Sequence, residues 1–483
     1  MANYGDYSLT QSAGLVGVSK LINVLGLLVA SMILTRLLSR SEYGNYEQVW
    51  LVYNSFLPLV GTSLSSSVYY FSARPERTRT YGSGVLATAI VGLIFGAALA
   101  VLAPSISHWF GSNELTGYLQ IFAVYAVLSS PSLIFESVFV TERKVGLLLG
   151  ANAALSIMFA GGVLISGFVF HNLTAVFISV AVVGAAKSIF LLQYLFRKKP
   201  GLHRGSGFLR SQIIYALPIF VSGIVGTLSK QVDRYLVSIF FSPDKFALYS
   251  IGSKEVPLIA IVTGSASAVL FPVFSELGAE DGRGKFLELW RNSMAKTGLF
   301  LLPIMVFLLF AAKDFMVFFF GAKYGASAVI FRIFLLLLPM RLAFYSQALL
   351  SLGKQRLYMY SSIAEAVLSG VVSYIMLRSF GMEGAAVGKV VVSYAEVVFL
   401  VGVLLVLLRS KITTFFPWAR LSKIVLISAI GIVPLFFVRN WLDNVYIRFL
   451  TEGVVFTTVF GAIAIAAGLV RVVDLKRMQF IVN

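Results

Sequence analysis

The chain has 483 residues, of which 58% are hydrophobic and 12% are charged, and its formal net charge is +18. Soluble domains carry about 25% charged residues and about 45–50% apolar ones, so this composition excludes an ordinary soluble domain and indicates a chain that lies in the lipid bilayer. The absence of cysteine excludes disulfides and cysteine metal sites, and the presence of 3 histidines argues against a histidine-rich metal site.

The apolar runs are long enough to cross a bilayer, because a spanning helix needs about 20 mostly apolar residues. Residues 1–11 lack the basic segment of a signal peptide, so we expect the first run to be retained. The hydrophilic connections are short and leave no separate soluble domain. The sequence therefore predicts an all-α integral membrane protein with about fourteen spans, near residues 12–38, 46–71, 84–106, 117–140, 146–169, 173–196, 211–240, 246–275, 294–312, 326–351, 357–377, 384–408, 421–438 and 450–470.

The Lys and Arg residues of the connections predict the orientation, because cytoplasmic connections carry the excess of these residues. With a cytoplasmic N-terminus, the inner connections hold 23 of them and the outer connections hold 8. An even number of spans then places both termini in the cytoplasm, in agreement with the basic residues Lys476 and Arg477. The position of these charges favours a membrane protein over one that binds nucleic acid.

Two similar turns indicate an internal repeat. Residues 38–46 (LSRSEYGNY) resemble residues 241–249 (FSPDKFALY), and the same offset of 203 positions pairs Phe71 with Phe274. Both copies have the same predicted orientation, which indicates a parallel repeat about an axis along the membrane normal. The predicted organisation is a six-helix lobe in 1–196, a basic cytoplasmic linker in 197–210, a second six-helix lobe in 211–410, and two additional spans with a cytoplasmic tail in 411–483.

Ionisable residues inside the spans point to an anionic ligand. Such residues are costly in the membrane and usually face a cavity or a charge partner. The basic residues outnumber the acidic ones, and this surplus predicts an anion in the cavity. The basic residues are Lys20, Lys187, Lys230, Arg234, Lys254, Arg332, Arg341 and Lys389, and the acidic ones are Glu136, Asp233, Glu255, Glu365 and Glu396.

The seventh predicted span carries the strongest candidate site. Thr227, Lys230 and Arg234 recur at spacings of three and four, so they share one face of a helix. Two like charges one turn apart are unfavourable unless an anion lies nearby; Asp233 can supply part of that charge and a phosphate group more. The alternative is a salt-bridged packing seam with the eighth span, formed with Lys254 and Glu255.

The first two spans carry polar residues that allow two interpretations. The stripe of Asn54, Thr62 and Ser65 in the second span either packs closely against another helix or lines a cavity. Lys20 shares a face with Asn23 in the first span. Its long side chain either reaches the cytoplasm or contacts a ligand.

The remaining charged residues are candidates for anion binding, ion coupling or charge pairing. Arg341 lies deep enough in its span to be a secondary cation for an anionic ligand. Lys389 and Glu396 share one face of the twelfth span, which favours an internal pair. Glu136 and Glu365 each follow serines at helical spacing; each is either a proton or sodium site or a partner of the basic residues.

No motif for soluble-enzyme chemistry is present: the chain has no Walker loop, dinucleotide glycine fingerprint or metalloprotease helix. Without an ATP site, energy must come from an ion gradient, the membrane potential or the substrate. We expect no cofactor and no bound metal beyond a coupling H⁺ or Na⁺.

Four segments resemble a known family. They are LLSRSEYGNY (37–46), FFSPDKFALYSIGSK (240–254), VLFPVFSEL (269–277) and FFGAKYGASAVIFRI (319–333). Their order and spacing resemble the Wzx-type polysaccharide-biosynthesis flippases of bacteria. These belong to the superfamily that also contains the multidrug and toxic-compound extrusion (MATE) antiporters and the peptidoglycan-precursor flippases. The resemblance covers roughly residues 8–410.

The resemblance implies a V-shaped, two-lobed bundle that works by alternating access. It implies that an undecaprenyl-diphosphate-linked oligosaccharide moves from the inner to the outer leaflet of the bacterial cytoplasmic membrane for cell-surface polysaccharide synthesis. Membrane lipids and a glycan polymerase machinery are the implied partners. On this interpretation Lys230 and Arg234 contact the diphosphate, and Lys20, Lys254 and Arg341 are secondary cations.

Three alternatives remain open. A flippase for the peptidoglycan precursor lipid II fits the fold equally well. A cation-coupled drug antiporter of the same superfamily would usually need an acidic cavity, and the surplus here is basic. A membrane glycan polymerase or ligase commonly carries a large outer loop, and no outer connection here exceeds about fifteen residues on this assignment of spans.

Overall fold

The computed structural model describes residues 9–72, 77–170, 172–198, 206–279 and 283–469. Every regular element in these ranges is helical, which confirms the predicted all-α class. The chain forms two compact units, Met1–Ala247 and Leu248–Asn483. The partition into two six-helix lobes and two extra spans, with boundaries at 196 and 211, stays a prediction.

The first unit is built from nine helices along the described part of the chain. A 3-10 turn, Ser130–Ile134, joins the fifth to the sixth, and a π turn, Ser166–Phe170, follows the seventh. The helices are α1 (Leu9–Leu37), α2 (Arg40–Asn54), α3 (Leu57–Ser72), α4 (Arg77–Trp109), α5 (Leu115–Ser129), α6 (Phe135–Thr141), α7 (Val145–Ile165), α8 (Leu173–Lys198) and α9 (Ser206–Phe240).

A short helix, α10 (Pro243–Gly252), runs across the division between the units. Two 3-10 turns in the second unit, Ala322–Ser327 and Leu338–Leu342, precede α13 and α14. The helices that follow α10 are α11 (Pro257–Ala279), α12 (Arg283–Phe320), α13 (Ala328–Leu335), α14 (Tyr345–Ser351), α15 (Gln355–Leu407), α16 (Ile412–Phe415), α17 (Trp418–Trp441) and α18 (Val445–Ala466).

The predicted span 46–71 is divided between α2 and α3. Pro58 lies at the second position of α3. It has no N–H to continue the hydrogen-bond ladder of α2, so the chain breaks at Ser55 and restarts. The break makes α3 a separate helix, and its Ser65 and Ser66 line the cavity described below.

The 53-residue helix α15 covers two predicted spans, because the chain reverses at Gly381. This glycine has φ 71° and ψ −152°, a conformation that only glycine adopts without strain. The two halves pack closely: a Cβ at Gly388 would lie 2.7 Å from the Cα of Ser373, and one at Gly384 would overlap the Met376 carbonyl. The predicted spans 357–377 and 384–408 therefore lie side by side as an antiparallel hairpin.

By length and apolar composition, 11 helices in the described ranges can cross a membrane, or 12 if the bent pair Ala322–Leu335 and Leu338–Ser351 is one span. We predicted fourteen. The difference arises where α15 merges two predicted spans and where α2 and α3, with 15 and 16 residues, are each too short to be counted. The multi-pass architecture is confirmed, and the count of fourteen stays a prediction.

The two turns that suggested the repeat have related local structures. Ser39 Oγ accepts a hydrogen bond from Glu42 N at 3.2 Å, and Ser39 N donates to Glu42 Oε2 at 2.8 Å, which forms a capping box at the start of α2. The second turn starts α10 with Pro243, a residue whose fixed φ suits the first position of a helix. The symmetry relation between two lobes stays a prediction.

Candidate functional site

A cavity of about 610 Å³ lies inside the first unit, with walls from α1, α2, α3, α5, α6, α7, α8 and the 3-10 turn after α5. This volume is in the range of pockets that hold small organic ligands. Its polar lining residues are Trp50, Tyr53, Thr62, Ser65, Ser66, Tyr69, Tyr125, Ser129, Ser132, Glu136 and Lys187.

One wall of the cavity is aromatic. The ring centroid of Tyr53 lies 5.3 Å from those of Trp50 and Tyr125, and Phe122 packs 4.6 Å from Tyr125 behind them. Gly184 of α8 permits this arrangement, since a Cβ there would lie 2.7 Å from Tyr125 Cε2. Rings with an apolar face and a polar edge can contact both the C–H and the O–H groups of a ligand.

A second group of lining residues, the hydroxyl wall, presents hydrogen-bond acceptors. Thr62 Oγ1 donates to Leu59 O at 3.0 Å, Ser66 Oγ donates to Thr62 O at 2.9 Å, and Ser132 Oγ donates to Ser129 O at 2.7 Å. A hydroxyl whose hydrogen is used in this way keeps its lone pairs for a ligand. The wall therefore suits a ligand rich in hydrogen-bond donors, such as a sugar.

Two opposite charges line the same cavity. Lys187 comes from α8 and Glu136 from α6, and Lys187 Nζ lies 5.0 Å from the ring centroid of Phe135. Both residues were predicted to lie inside spans, but Lys187 was not among the residues predicted for the site. Lys187 lies one helical turn after Val183 and Gly184 on α8, and this spacing could have been used to predict it from the sequence.

A polar seam joins α2 to α9 within the first unit. Arg234 Nη2 lies 2.9 Å from Glu47 Oε2, and Glu47 Oε1 also accepts from the Tyr43 hydroxyl at 2.8 Å. Gln48 Nε2 donates to Ser238 Oγ at 2.9 Å, which extends the seam one turn further. We call these contacts the α2–α9 seam. Glu47 lies in the predicted span 46–71 but was not included among the acidic residues inside the spans, so the seam was not predicted.

The turns at the start of α2 and α10 continue the seam. Arg40 Nε lies 2.9 Å from Asp244 Oδ1, and both side chains are about 40% exposed (39% and 41%). A Cβ at Gly44 would overlap the Pro243 carbonyl, so only glycine permits this approach. The two segments that suggested the repeat are thus in direct contact.

The cations proposed for the diphosphate are placed differently from one another. Lys230 is exposed on α9 and forms no ion pair among the residues that the structure describes, whereas Arg234 is paired with Glu47. In the second unit, Lys254 is half-buried and Arg341 forms an ion pair with Glu255. The side chain of Lys20 lies outside the described residues.

The predicted polar lining is only partly gathered in one place. Thr62 and Ser65 lie in the cavity wall. Asn23 accepts a hydrogen bond from Ser156 Oγ at 3.1 Å between α1 and α7. Asn54 is exposed and Thr227 is half-buried, and neither is among the residues that line this cavity.

The acidic candidates of the second unit form pairs. Lys389 Nζ lies 2.6 Å from Glu365 Oε1, across the two halves of α15, and Glu396 Oε1 accepts from Ser361 Oγ at 3.3 Å. In the first unit, Asp233 is buried in α9. The sequence favoured a Lys389–Glu396 pair on one helix face, which stays a prediction; the hairpin at Gly381 also brings Glu365 to Lys389.

A further charge cluster in the second unit was not predicted. Asp314 of α12 lies 3.2 Å from Arg439 of α17 and 2.7 Å from Arg448 of α18, and Arg439 also lies 2.8 Å from Glu452. These residues join the last two helices to α12. Arg439 and Arg448 were assigned to an outer connection, although acidic residues in the adjoining apolar segments were a signal for pairing.

Comparison with known proteins identifies relatives of this chain. A family model described as "Polysaccharide biosynthesis protein" matches residues 33–329. A putative O-antigen transporter of Shigella flexneri is 25% identical over 238 residues, a match that covers 46% of this chain and 54% of the relative. The chain thus spans about half the length of this curated relative.

Two solved structures have the same fold. The lipid II flippase MurJ in an inward closed conformation superposes with a TM-score of 0.73 at 14% identity, over 95% of this chain and 98% of that one. An inward-facing MATE family multidrug resistance transporter of the MOP superfamily gives a TM-score of 0.63 at 15% identity, over 80% and 95% of the two chains. At these identities the likeness establishes the fold alone.

Proposed function

This chain belongs to the polysaccharide biosynthesis protein family, and from this membership we propose that it is a flippase, a transporter rather than an enzyme, for a polyprenyl-diphosphate-linked oligosaccharide. It would move its substrate from the inner to the outer leaflet of the bacterial cytoplasmic membrane by alternating access. Both termini would lie in the cytoplasm. The translocated glycan would then serve cell-surface polysaccharide synthesis, with a polymerase machinery as the next partner.

The observation that best supports this proposal is the chemistry of the cavity in the first unit. Its lining combines an aromatic wall, Trp50, Tyr53 and Tyr125, with hydroxyl groups whose own hydrogens are already donated. Sugars present C–H faces and many O–H donors, and both suit such a lining. The matched family region, residues 33–329, contains α2, α3, α5 and α8, which supply most of the walls.

We propose that Lys230 contacts the diphosphate. It is an exposed cation on α9 with no ion pair in the described ranges, and an ammonium group forms strong charge-assisted hydrogen bonds with phosphate oxygens. Lys20, Lys254 and Arg341 remain secondary candidates. Arg234 would contact the diphosphate only in a conformation in which its pair with Glu47 has opened.

Alternating access would involve the α2–α9 seam. The seam combines an ion pair with neutral hydrogen bonds, so opening it breaks contacts that water or substrate phosphate can replace. We propose that it separates once in each transport cycle. A coupling H⁺ or Na⁺, with Glu136, Asp233, Glu255, Glu365 or Glu396 as the group that binds it, would bias this equilibrium.

A lipid II flippase is the second candidate, and the likeness to the MurJ fold favours it. The family match favours surface polysaccharide instead. A cation-coupled drug antiporter receives less support because Lys230, the exposed candidate, is basic. A glycan polymerase or ligase receives less support because the two solved structures with this fold are named as a flippase and a transporter.

Deletion of the gene in its native bacterium tests the proposal and separates the two candidates. We expect cells without the protein to lose surface polysaccharide, to accumulate the lipid-linked oligosaccharide facing the cytoplasm, and to keep growing. Arrested peptidoglycan synthesis with intact surface polysaccharide would contradict the proposal and support the lipid II candidate. Unchanged amounts of both polymers would reject both.

A further inference from the structure

A second pocket, of about 690 Å³, lies in the second unit between the first turns of α12 and the segment around α16 and the start of α17. The 38 residues of α12 extend over about 57 Å at 1.5 Å per residue. The hydrocarbon core of a bilayer is only about 30 Å thick. The charged first turns of α12 therefore extend beyond the hydrocarbon, and the apolar span of α17 begins at Trp418. The pocket lies at the level of lipid headgroups.

Three charged side chains line this pocket without pairing with one another. Glu288 and Arg291 come from α12, and Arg420 comes from α17. All three are exposed, and none of them forms an ion pair within the part of the chain that the structure describes. Arg420 Nη1 makes one long hydrogen bond, 3.4 Å, to Asn292 Oδ1. Opposite charges that line one pocket without joining leave their hydrogen-bonding capacity for a ligand.

The types of charge define the ligand. Two guanidinium groups from different helices can hold the oxygens of a phosphate between them, since each presents a planar fork of donors. A carboxylate accepts hydrogen bonds from a primary ammonium group. Arg291 and Arg420 with Glu288 therefore suit a headgroup that carries both a phosphate and an ammonium group.

An aromatic wall completes the pocket. The rings of Phe416 and Trp418 lie 5.0 Å apart, and Trp418 Nε1 donates to Ile412 O at 3.2 Å, which fixes the indole. Trp418 is 53% exposed at the start of its apolar span. Tryptophan in this position is typical of the membrane–water interface, where its ring contacts the glycerol and upper acyl region of lipids.

We propose that this pocket binds a glycerophospholipid whose headgroup carries a phosphodiester and a primary ammonium group. The phosphate lies between Arg291 and Arg420, the ammonium at Glu288, and the glycerol backbone against Phe416 and Trp418. The predicted topology assigns the lipid to the cytoplasmic leaflet. The bound lipid connects α12 to α17, so it acts as a structural component of the second unit and is distinct from the transported substrate.

Native mass spectrometry of the purified full chain in detergent tests this site. The protein is titrated separately with dioleoylphosphatidylethanolamine, dioleoylphosphatidylglycerol and undecaprenyl diphosphate. We expect the ethanolamine lipid to bind at least about fivefold more tightly than the glycerol lipid, because only it engages all three charges. R291Q/R420Q should lower binding of the ethanolamine lipid at least about tenfold. Binding of undecaprenyl diphosphate should not change in R291Q/R420Q, because its proposed site is at Lys230. E288Q should bind both phospholipids equally.

The control is K354Q/R356Q, which removes two exposed cations at the start of α15 that are not among the lining residues, and should bind like the wild type. Equal binding of the ethanolamine lipid by R291Q/R420Q and the wild type would overturn the proposal. Loss of undecaprenyl diphosphate binding in R291Q/R420Q, with binding of the ethanolamine lipid unchanged, would overturn it too, by assigning the pocket to the transported lipid. If R291Q/R420Q does not elute as one species, R291K/R420K replaces it in the titration. This variant keeps both positive charges but loses the planar donor forks, so unchanged binding of the ethanolamine lipid would contradict the proposal.

Discussion

Arg234 of α9 and Glu47 of α2 form an ion pair with 2.9 Å between Nη2 and Oε2. The Glu47 side chain is 8% exposed and that of Arg234 is 24% exposed, so the carboxylate depends on its protein partners for solvation. The sequence predicted Arg234 as a ligand for diphosphate. Its pair with Glu47 assigns it a first role in the α2–α9 seam, and the contact with the substrate that we propose follows when that seam opens.

Breaking the pair should destabilise the protein. R234Q leaves Glu47 without its guanidinium partner, and we expect a loss of about 3 kcal/mol, the lower end of the range for buried pairs, because Arg234 is partly exposed. E47Q/R234Q should lose less than the sum of the two single variants, since neither charge is then left alone. Thermal unfolding of the purified proteins measures this. Strictly additive losses would show that the two side chains are not coupled.

Fixing the seam should stop transport. The chain contains no cysteine, so Q48C/S238C can be joined selectively by a short, reducible thiol reagent. We expect cross-linking to reduce transport to background and reduction to restore it. The matched control is S19C/N152C, another pair of hydrogen-bonded side chains on neighbouring helices, which lie 2.7 Å apart between α1 and α7. Full transport by the cross-linked Q48C/S238C protein would show that the seam does not open.

Neutralising Lys230 should impair transport of the lipid-linked oligosaccharide at least about tenfold, because one charge-assisted contact with the diphosphate is lost. K230R should retain most of the activity. K230Q/R234Q should abolish glycan export while membrane insertion remains intact. K245Q removes another exposed lysine, at the start of α10, and serves as the control. Full export by the double variant would remove both residues from the site.

Filling the cavity of the first unit should exclude the sugars. T62F places a ring in the hydroxyl wall, and we expect glycan transport to fall with little change in thermal stability, because the side chain enters open space. T457F is the matched control: Thr457 is also an exposed threonine that donates to its own helix, to Gly453 O at 2.7 Å, but it lies on α18. Equal activities of the two variants would argue that no sugar occupies the cavity.

Asp314 should be required for the stability of the second unit. D314N removes the carboxylate between Arg439 and Arg448, and we expect a loss of about 3–5 kcal/mol because the site is buried. D244N breaks the exposed pair with Arg40 and should cost at most about 1 kcal/mol. Thermal unfolding compares the two. A D314N variant as stable as D244N would show that the charge cluster does not stabilise the packing of α17 and α18 on α12.

The apolar runs were sufficient to predict the class of the fold, because a bilayer requires long apolar helices whatever their packing. They were not sufficient to predict helix breaks such as the one at Pro58, where the absence of a single backbone N–H interrupts the helix. The pairing of Lys389 with Glu365 could not be read from helix periodicity, because it depends on the reversal at Gly381. The cavity was missed in part since Tyr53 and Tyr125 come from segments that only the folded chain brings together.

The most direct test of the proposed function is a flipping assay in reconstituted vesicles. Vesicles contain a defined polyprenyl-diphosphate-linked oligosaccharide, and a membrane-impermeant glycosidase added outside reports how much of it reaches the outer leaflet. We predict complete conversion of the oligosaccharide with the wild-type protein. With K230Q/R234Q, conversion should stop once the lipid originally in the outer leaflet is exhausted. The account would be contradicted if conversion in vesicles with the wild-type protein stopped at the same fraction as in protein-free vesicles, with and without H⁺ or Na⁺ gradients.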